Sequence, residues 1–340
     1  MNSFSYARAD SIENAVGEIG KNETAKFIAG GTNLLDLMKY NVEHPERLID
    51  VNRLPLNQIA ENENGGLRLG ALCTNADTAY HAEVEKRYPL LSKAILAGAS
   101  PQLRNMATDG GNLLQRTRCY YFYDTATPCN KRKPGTGCPA IAGYNRMHAV
   151  LGFSDACIAT YPGDMANALA ALEAVVNVEG KDGKREIKFE DFHRLPGDTP
   201  EKDNNLQPDE IITSIDLPEK GFAQNHVYLK LRDRASYAFA LVAVAAGLEL
   251  DGDSVKDTRI VLGGVAHKPW RNKEAENLLN GKPATRENFQ KAAEMIFKDA
   301  KGFEHNAFKI ELGKRAVVRA LRQAVEMKHN NDSQFHRTST

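Results

Sequence analysis

The pattern of apolar positions in residues 1–55 predicts a small α/β unit. Asp10 or Ser11 can cap a helix whose apolar positions recur at helical spacing from Ile12 to Ile19, and Gly20 ends it. Short apolar stretches at 26–29 and 47–51 are typical of strands, and a second helix pattern lies between them at 34–38. These elements form the first of three predicted domains, a lobe spanning residues 1–55.

The pattern of residues 56–220 predicts a second, larger α+β lobe. A strand at 67–72 is followed by a helix that Thr74 can cap, which continues to Ala82, and by a second helix at 89–99. A helix near 165–172 and strands near 174–178, 185–189 and 211–217 complete the lobe. Between these two groups of elements, residues 115–160 form a loop-like insertion.

The third predicted domain, residues 221–327, begins with longer apolar runs. Three strands at 227–232, 237–250 and 258–265 are expected to form an antiparallel sheet. Helix patterns follow near 272–279, 286–298 and 306–327, and the polar residues 328–340 are expected to form a disordered tail. The chain therefore belongs to the α+β class, with a C-terminal three-stranded antiparallel sheet and helices.

Composition narrows the range of partners. The 340 residues contain 44 Lys plus Arg and 44 Asp plus Glu without a long block of one sign, which excludes an electrostatic nucleic-acid or anionic-membrane partner. The longest apolar run, 237–248, is much shorter than the roughly 20 residues of a membrane-spanning helix. The first ten residues lack the apolar core of a signal peptide, so we expect no export signal on this chain, although export with a signal-bearing partner would leave no trace here.

Two double-glycine turns are the first candidates for binding. Gly30 and Gly31 stand between a strand and a helix start, where bare backbone N–H groups suit a phosphate, and Gly110 and Gly111 form a similar turn beside Thr108 and Asn112. Two such turns could grip the two phosphates of a dinucleotide. Ordinary tight turns explain the same residues, and from the residues alone both interpretations stay open.

The second candidate is a group of four cysteines within 39 residues, Cys119, Cys129, Cys138 and Cys157. Their spacings of 10, 9 and 19 residues lack the paired Cys-x-x-Cys knuckles of common zinc modules. Basic neighbours in the insertion are expected to lower the thiol pKa values and to offset the charge of a thiolate-bound cluster. From spacing alone, an iron–sulfur cluster, a structural zinc ion and inert buried thiols carry equal weight.

Several single residues have an ordinary structural interpretation. Asp164 is expected to cap a helix, Lys230 to be a solvated charge on a strand, and Cys73 to be a small core residue. His267 is expected to be structural, because no second histidine lies at metal-ligand spacing. The sequence contains no nucleophile elbow and no zinc-protease motif, so we expect no hydrolytic site.

Four segments, 27–35, 104–112, 209–212 and 230–245, occur in an order and at separations that identify a family. The chain resembles the FAD-binding subunit of the xanthine dehydrogenase family of molybdenum hydroxylases over residues 1–325. The insertion resembles those of bacterial three-subunit periplasmic aldehyde oxidoreductases and of the β subunit of 4-hydroxybenzoyl-CoA reductases. This resemblance implies a two-lobed FAD-binding fold of the PCMH/vanillyl-alcohol-oxidase type.

The resemblance also implies site residues. In such proteins the four insertion cysteines hold a four-iron four-sulfur (4Fe-4S) cluster, which here assigns Cys119, Cys129, Cys138 and Cys157. The segment that would wrap the FAD pyrophosphate consists of Lys26, Phe27, Ile28, Ala29, Gly30, Gly31, Thr32, Asn33 and Leu34. The other implied FAD contacts are Thr108, Gly111 and Asn112 at the second grip, Arg118 beside the flavin, Asp164 at the ribityl or ribose hydroxyls, Ile212 against the isoalloxazine, and Lys230 near the ring.

The implied function is electron transfer in an aldehyde-oxidising heterotrimer. A large molybdenum-cofactor subunit would oxidise the aldehyde, a small subunit with two 2Fe-2S clusters would carry electrons, and this chain would bind FAD without supplying a catalytic acid, base or nucleophile. The resemblance further implies a periplasmic complex, exported folded through a twin-arginine signal on the small subunit. The alternatives are another molybdenum hydroxylase, such as a hydroxybenzoyl-CoA reductase or a xanthine dehydrogenase, and a zinc-stabilised binding or assembly protein.

One residue departs from the pattern of the family. A carboxylate at Asp109 beside a pyrophosphate would be unfavourable unless its side chain points away.

Overall fold

The first unit is a three-stranded parallel sheet with two helices. The computed structural model describes residues 1–335, and within that range the sheet has the strand order β1-β3-β2. Helix α1 begins after Ser11, whose side chain accepts a hydrogen bond from the Asn14 N–H and so caps the helix as predicted. The elements are β1 (Ser5–Arg8), α1 (Ile12–Ile19), β2 (Lys26–Ile28), α2 (Leu34–Lys39) and β3 (Arg47–Asp50).

The second unit is built on a five-stranded sheet in which every neighbouring pair is antiparallel, in the order β4-β5-β8-β6-β7. Its strands are β4 (Ile59–Glu61), β5 (Leu67–Gly70), β6 (Val175–Gly180), β7 (Gly183–Lys188) and β8 (Ile211–Asp216). Its helices are α3 (Asn75–Ala79), α4 (Ala82–Arg87), α5 (Pro89–Ala97), α6 (Pro101–Arg104), α7 (Asp109–Leu113), α8 (Tyr120–Tyr123), α9 (Asp164–Ala171) and α10 (Phe189–Phe192). The helix predicted from Thr74 to Ala82 is interrupted, since α3 ends at Ala79.

The insertion between α7 and α9 has little regular structure but many internal contacts. Arg132 donates hydrogen bonds to the carbonyl oxygens of Tyr121 (2.9 Å), Phe122 (2.7 Å) and Thr127, and Asn130 donates to that of Ala156 (2.9 Å). Phe122 is fully buried and packs with residues of the first unit around α2. The loop is therefore held in one shape by its own side chains.

The third unit contains the C-terminal antiparallel sheet, in the order β12-β11-β10-β9. The predicted antiparallel sheet is confirmed, but a fourth, two-residue strand extends it at one edge. Strand β10 also begins later than predicted, because residues 237–241 form a loop in which Tyr237 has a φ of +49°. The elements are β9 (His226–Leu231), β10 (Val242–Asp251), β11 (Ser254–Gly263), β12 (Trp270–Arg271), α11 (Lys273–Leu279), α12 (Arg286–Ile296) and α13 (Phe308–Phe335).

Helix α13 continues to Phe335, past the end predicted at Met327. The last residues of the predicted tail, 336–340, lie outside the described residues. One buried face of α13 packs with α12 against the C-terminal sheet, around Val317, Leu321 and Phe289. Helices α5 and α9 contact the opposite face, so the second and third units share a continuous boundary.

The two glycine turns are in direct contact. A Cβ atom added at Gly30 would lie 1.8 Å from the carbonyl oxygen of Met106, just before the second turn. Only glycine allows the two backbones to approach so closely. This contact fixes the spacing of the first and second units where the turns face each other.

We expect Gly30→Ala to destabilise the protein by about 1–3 kcal/mol, because the obstructing atom is backbone and the two turns must move apart. Gly17→Ala, in the middle of α1 with no atom within 4 Å of the added Cβ, is the matched control and is expected to be neutral or stabilising by up to about 1 kcal/mol. Denaturant unfolding of the two variants measures both effects. Equal stability of the two variants would contradict the close contact.

Candidate functional site

The largest cavity is a cleft between the two glycine turns that extends to the third unit. Its volume of about 1560 Å³ exceeds the roughly 300–1,000 Å³ of pockets for drug-sized ligands, so it can accommodate a dinucleotide. All sixteen residues assigned to FAD by resemblance line this cleft, from Lys26 through Leu34 and Thr108 to Ile212 and Lys230. Segments more than 200 residues apart in sequence therefore meet around one space.

The first turn lines the cleft and carries a buried hydrogen-bond donor that no described residue pairs. Strand β2 ends at Ile28, Gly31 has a φ of +69°, and α2 begins at Leu34. Asn33 accepts a hydrogen bond from the Arg116 N–H at 3.0 Å through its Oδ1, while its buried Nδ2 has no hydrogen-bond partner among the described residues. An orphaned buried donor is costly, and a polar or anionic ligand in the cleft would satisfy it.

The second turn is held by a network behind the cleft. Thr108 caps α7 by accepting from the Gly111 N–H at 3.2 Å, and Asn112 donates to Asn75 Oδ1 at 2.7 Å. Asp109 does not line the cleft; its carboxylate is fully buried and accepts from Asn75 Nδ2 (2.7 Å) and Thr78 Oγ1 (2.5 Å). Burial raises the pKa of Asp109 to about 7. The unfavourable approach to a pyrophosphate considered above is thus avoided.

Asp164 and Lys230 form an ion pair on the wall of the cleft. Lys230 Nζ donates to Asp164 Oδ2 at 2.7 Å and to the Ala97 carbonyl at 3.0 Å, and Tyr228 donates to Asp164 Oδ1 at 2.6 Å. Burial, followed by the charge of Asp164, raises the pKa of Tyr228 well above its usual value, so its hydroxyl remains a donor. The Lys230 side chain is only 5% exposed. Two predictions made from the sequence are therefore wrong. The cap of α9 is Gly163 and not Asp164, and the Lys230 side chain is buried rather than solvated.

Arg118 and Ile212 lie on other walls of the cleft. Arg118 donates to the carbonyl oxygen of Arg116 and stands over the Phe239 ring at 5.1 Å from its centroid. Ile212 is buried on β8. A cation over an aromatic face and an apolar wall together fit a large aromatic ligand.

The four insertion cysteines surround a second, smaller cavity with apolar walls. Burial raises the pKa of Cys119 to about 12 and that of Cys157 to about 11, and it also raises the pKa of Cys138. The prediction that basic neighbours lower these pKa values is therefore wrong, because burial outweighs them and only Lys131 acts appreciably on Cys157. Cys73 lies outside this cavity and is buried in the core, as expected.

The basic residues of the insertion bind carboxylates and carbonyl groups. The Arg116 guanidinium binds Glu43 and Asp203, and the buried Lys131 ammonium donates to Asp203 Oδ1 at 2.5 Å and to the Pro200 carbonyl at 2.6 Å. Burial alone would raise the pKa of Asp203, but the charges of Lys131 and Arg116 outweigh it and lower the pKa to about 2. These charged side chains hold the insertion in place through ion pairs and do not activate the thiols by lowering their pKa values.

His148 lies between the cysteines and the cleft. Its Nε2 atom is 3.1 Å from the sulfur of Cys119, and burial, followed by the charge of Lys309, lowers its pKa to about 4. A narrow cavity lined by both residues also touches Arg118 and Asp164. Of the four cysteines, Cys119 is the one that lines both this narrow cavity and the cysteine cavity.

Sequence reasoning missed two segments of the cleft wall. Residues 201–208 have no predicted element, and Tyr237 and Phe239 lie in a predicted strand, yet all of them line the cleft. The charged and small polar residues Arg234 and Ser236, directly before Tyr237, could have indicated a loop. Asp203 has no local signal, since its partners Arg116 and Lys131 are far away in sequence.

Among the side chains that the structure describes, residues 1–327, no three of His, Cys, Asp or Glu are arranged to hold a single metal ion, and this includes the four insertion cysteines. Within residues 1–335, none of the helices has the length and apolar character that a membrane span requires.

Two family models match the chain, one over the first and second units and the other over the third unit. A family model described as the FAD binding domain in molybdopterin dehydrogenase matches residues 2–220, and one described as the CO dehydrogenase flavoprotein C-terminal domain matches residues 227–324. The aldehyde oxidoreductase FAD-binding subunit PaoB of Escherichia coli K12 is 50% identical, covering 95% of this chain and 99% of the relative. The glyceraldehyde dehydrogenase medium chain of Sulfolobus acidocaldarius is 29% identical, covering 82% of each chain.

A solved structure confirms the predicted fold. Carbon monoxide dehydrogenase from Hydrogenophaga pseudoflava contains a chain with a TM-score of 0.75 at 27% identity, covering 96% of this chain and 98% of that one. The agreement extends over both family models, so the two lobes and the C-terminal sheet belong to one shared architecture.

The ion pairs of Asp203 predict an acid-sensitive contribution to stability. Because its folded pKa is lowered from 3.8 to about 2, the contribution of about 2 kcal/mol is fully present above pH 4 and is lost as the pH falls toward 2. Asp203→Asn should therefore lower the free energy of unfolding at pH 7 and show a smaller loss of stability on acidification. Asp198→Asn, an exposed residue of the same loop, is the control. A pH-independent difference between Asp203→Asn and the wild type would contradict this assignment.

Proposed function

The chain belongs to the molybdenum hydroxylase family as its FAD-binding subunit, and from that membership we propose electron transfer within a molybdenum-dependent aldehyde oxidoreductase. The observation that carries the proposal is the single cleft lined by both glycine turns, Asp164 and Lys230. The 50% identity to an aldehyde oxidoreductase FAD-binding subunit supports the aldehyde class. The chain would receive electrons from a small 2Fe-2S subunit and pass them to an external acceptor.

The two turns would hold the pyrophosphate of FAD between them. The first turn contributes backbone N–H groups and the unpartnered Asn33 Nδ2, and the second contributes the Thr108–Asn112 segment, whose side chains are already fixed by hydrogen bonds. Fixed donors lose little conformational entropy on binding. Bound FAD would supply the two-electron chemistry that links one-electron carriers to the acceptor.

Asp164 and Lys230 would act at the flavin end of the cleft. Each Asp164 oxygen accepts one protein hydrogen bond, so the carboxylate keeps free lone pairs for ribityl or ribose hydroxyls. The Lys230 ammonium would lie near the flavin ring, where a positive charge favours the anionic reduced flavin. Its pairing with Asp164 moderates that effect, because the two charges partly cancel at a distance.

The proposal assigns the remaining chemistry to partner subunits. Oxidation of the aldehyde to the carboxylic acid would belong to a large subunit with the molybdenum cofactor, as the resemblance to the molybdenum hydroxylases implies. The small subunit would also carry the export signal of a periplasmic heterotrimer. The heterotrimer and the compartment rest on the resemblance of the insertion to those of periplasmic aldehyde oxidoreductases.

We further propose that Cys119, Cys129, Cys138 and Cys157 hold a 4Fe-4S cluster. The four thiols line one apolar cavity, and thiols from four cysteines around one space are the ligand set that a 4Fe-4S cluster requires. The bound cluster would supply one-electron chemistry. Because metal binding requires thiolates and burial raises the pKa of the thiols, assembly must release protons.

The absorption spectrum and substrate range of the purified complex test the function as a whole. Flavin peaks with a broad iron–sulfur shoulder, together with turnover of aldehydes, are expected. Turnover of xanthine or a hydroxybenzoyl-CoA instead of aldehydes would assign the chain to another molybdenum hydroxylase. Zinc without iron or flavin would contradict the redox function and support a zinc-stabilised binding protein.

Asp164→Asn should weaken FAD binding about tenfold, because it replaces an anionic acceptor and leaves Lys230 without its counter-ion. Asp155→Asn, an exposed residue of the insertion, is the matched control and should retain FAD. Flavin content after dialysis and direct FAD titration measure the difference. Equal FAD affinity in the two variants would show that Asp164 does not contribute to FAD binding.

Cys129→Ser should reduce the iron and labile sulfide content of the chain, since one thiolate of the proposed quartet is lost. Cys73→Ser makes the same chemical change outside the cavity and should leave both contents unchanged. If iron is retained equally in both variants, Cys129 is not a ligand. If iron is lost while FAD and aldehyde turnover persist, the role of the cluster is structural.

A further inference from the structure

His148 is a buried side chain that neither the FAD assignment nor the cysteine assignment uses. It is 2% exposed, and its Nε2 lies 3.1 Å from Cys119 Sγ. The nearest ring is that of Tyr121, whose centroid lies 6.3 Å away. The imidazole is therefore directed at one particular sulfur of the quartet.

The surroundings of the ring determine which nitrogen carries the proton. A neutral imidazole has one donor and one acceptor nitrogen. The Nδ1 atom of His148 is buried without a hydrogen-bond partner among the described residues, so a proton there would be unpaired, and Nε2 would direct its lone pair at the sulfur. With the proton on Nε2, the ring can donate to a thiolate sulfur, and Nδ1 keeps an unpaired lone pair instead of an unpaired N–H.

The backbone of His148 is clamped from the C-terminal unit. The carbonyl oxygen of His148 accepts hydrogen bonds from the buried Lys309 ammonium at 2.8 Å and from Asn306 Nδ2 at 3.2 Å, and the His148 N–H donates to the Asn145 carbonyl at 3.0 Å. These hydrogen bonds fix the backbone of His148, and the burial of its side chain restricts the rotamers of the ring before any group occupies the cysteine cavity. Such a preset donor is the usual means by which a second layer of residues tunes a ligated metal group.

We propose that His148 is a positioning residue that donates an N–H···S hydrogen bond to Cys119 and thereby raises the reduction potential of the cluster bound by the quartet. This inference rests on the proposed cluster. A hydrogen bond withdraws negative charge from the sulfur and so favours the more negative, reduced state. Cys119 is also the sulfur that borders the flavin cleft through the narrow cavity, so the tuned side of the site faces the flavin.

The test is an EPR-monitored redox titration of the assembled complex. His148→Leu removes the donor and should lower the ratio of reduced to oxidised cluster about tenfold at a fixed potential, which corresponds to about 59 mV for a one-electron couple. His148→Gln retains an N–H donor and should restore most of the wild-type potential. His305→Leu, an exposed histidine close to the insertion, is the control and should leave the potential unchanged.

A second measurement avoids dependence on how the variants fold. In wild-type complex labelled with ¹⁵N-histidine, pulsed EPR of the reduced cluster should detect a coupling to a histidine nitrogen, as expected for a ring 3.1 Å from a ligand sulfur. Absence of this coupling, or an unchanged potential in an iron-replete His148→Leu complex, would overturn the role of His148. Wild-type complex whose iron content is accounted for by the 2Fe-2S clusters of the small subunit alone would contradict the cluster itself, which is a separate outcome.

Discussion

The paired charges of Asp203 hold together parts of the chain that form the cleft and the cysteine cavity. Its carboxylate binds Arg116 and Lys131 of the insertion, and Arg116 in turn binds Glu43 of the first unit. Buried charges are costly unless they are paired and hydrogen-bonded, so no member of this set can be removed without leaving another uncompensated. The network therefore holds the insertion against both lobes. Because the cysteines belong to the insertion, it also determines where they lie.

The local elements of the fold could be predicted because their signals are contiguous in sequence. Ser11 and Thr74 each cap a helix through their side chains, and α1 and α12 begin where the apolar periodicity begins. The cleft could be predicted because the glycine turns keep a recognisable order along the chain. What binds there was identified by resemblance to a family, since a double-glycine turn by itself is also an ordinary turn.

The contacts that sequence reasoning missed are those made by long-range burial. Lys230 alternates with apolar residues as an exposed strand residue would, but Ala97 and Asp164 cover it, so its charge is paired rather than solvated. The thiol pKa values were expected to fall because arginines are close in sequence, yet those arginines bind carbonyl and carboxylate groups. In both cases the pattern identifies the charge correctly, but the partners of Lys230 and Arg116 are distant in sequence and have no local signal.

Long-range contacts also explain why the cysteine loop can be ordered without the proposed cluster. Arg132 and Asn130 tie its backbone internally, Phe122 anchors it to the first unit, and Lys309 clamps it from the C-terminal helix. A loop restrained in this way loses less conformational entropy when four thiolates bind one group. Burial raises the pKa of Cys119, Cys138 and Cys157, so the order of the loop does not depend on a negative charge at these three thiols. The scaffold thus fixes the ligand geometry independently of deprotonation, and under the proposed cluster it places the His148 N–H next to the Cys119 sulfur.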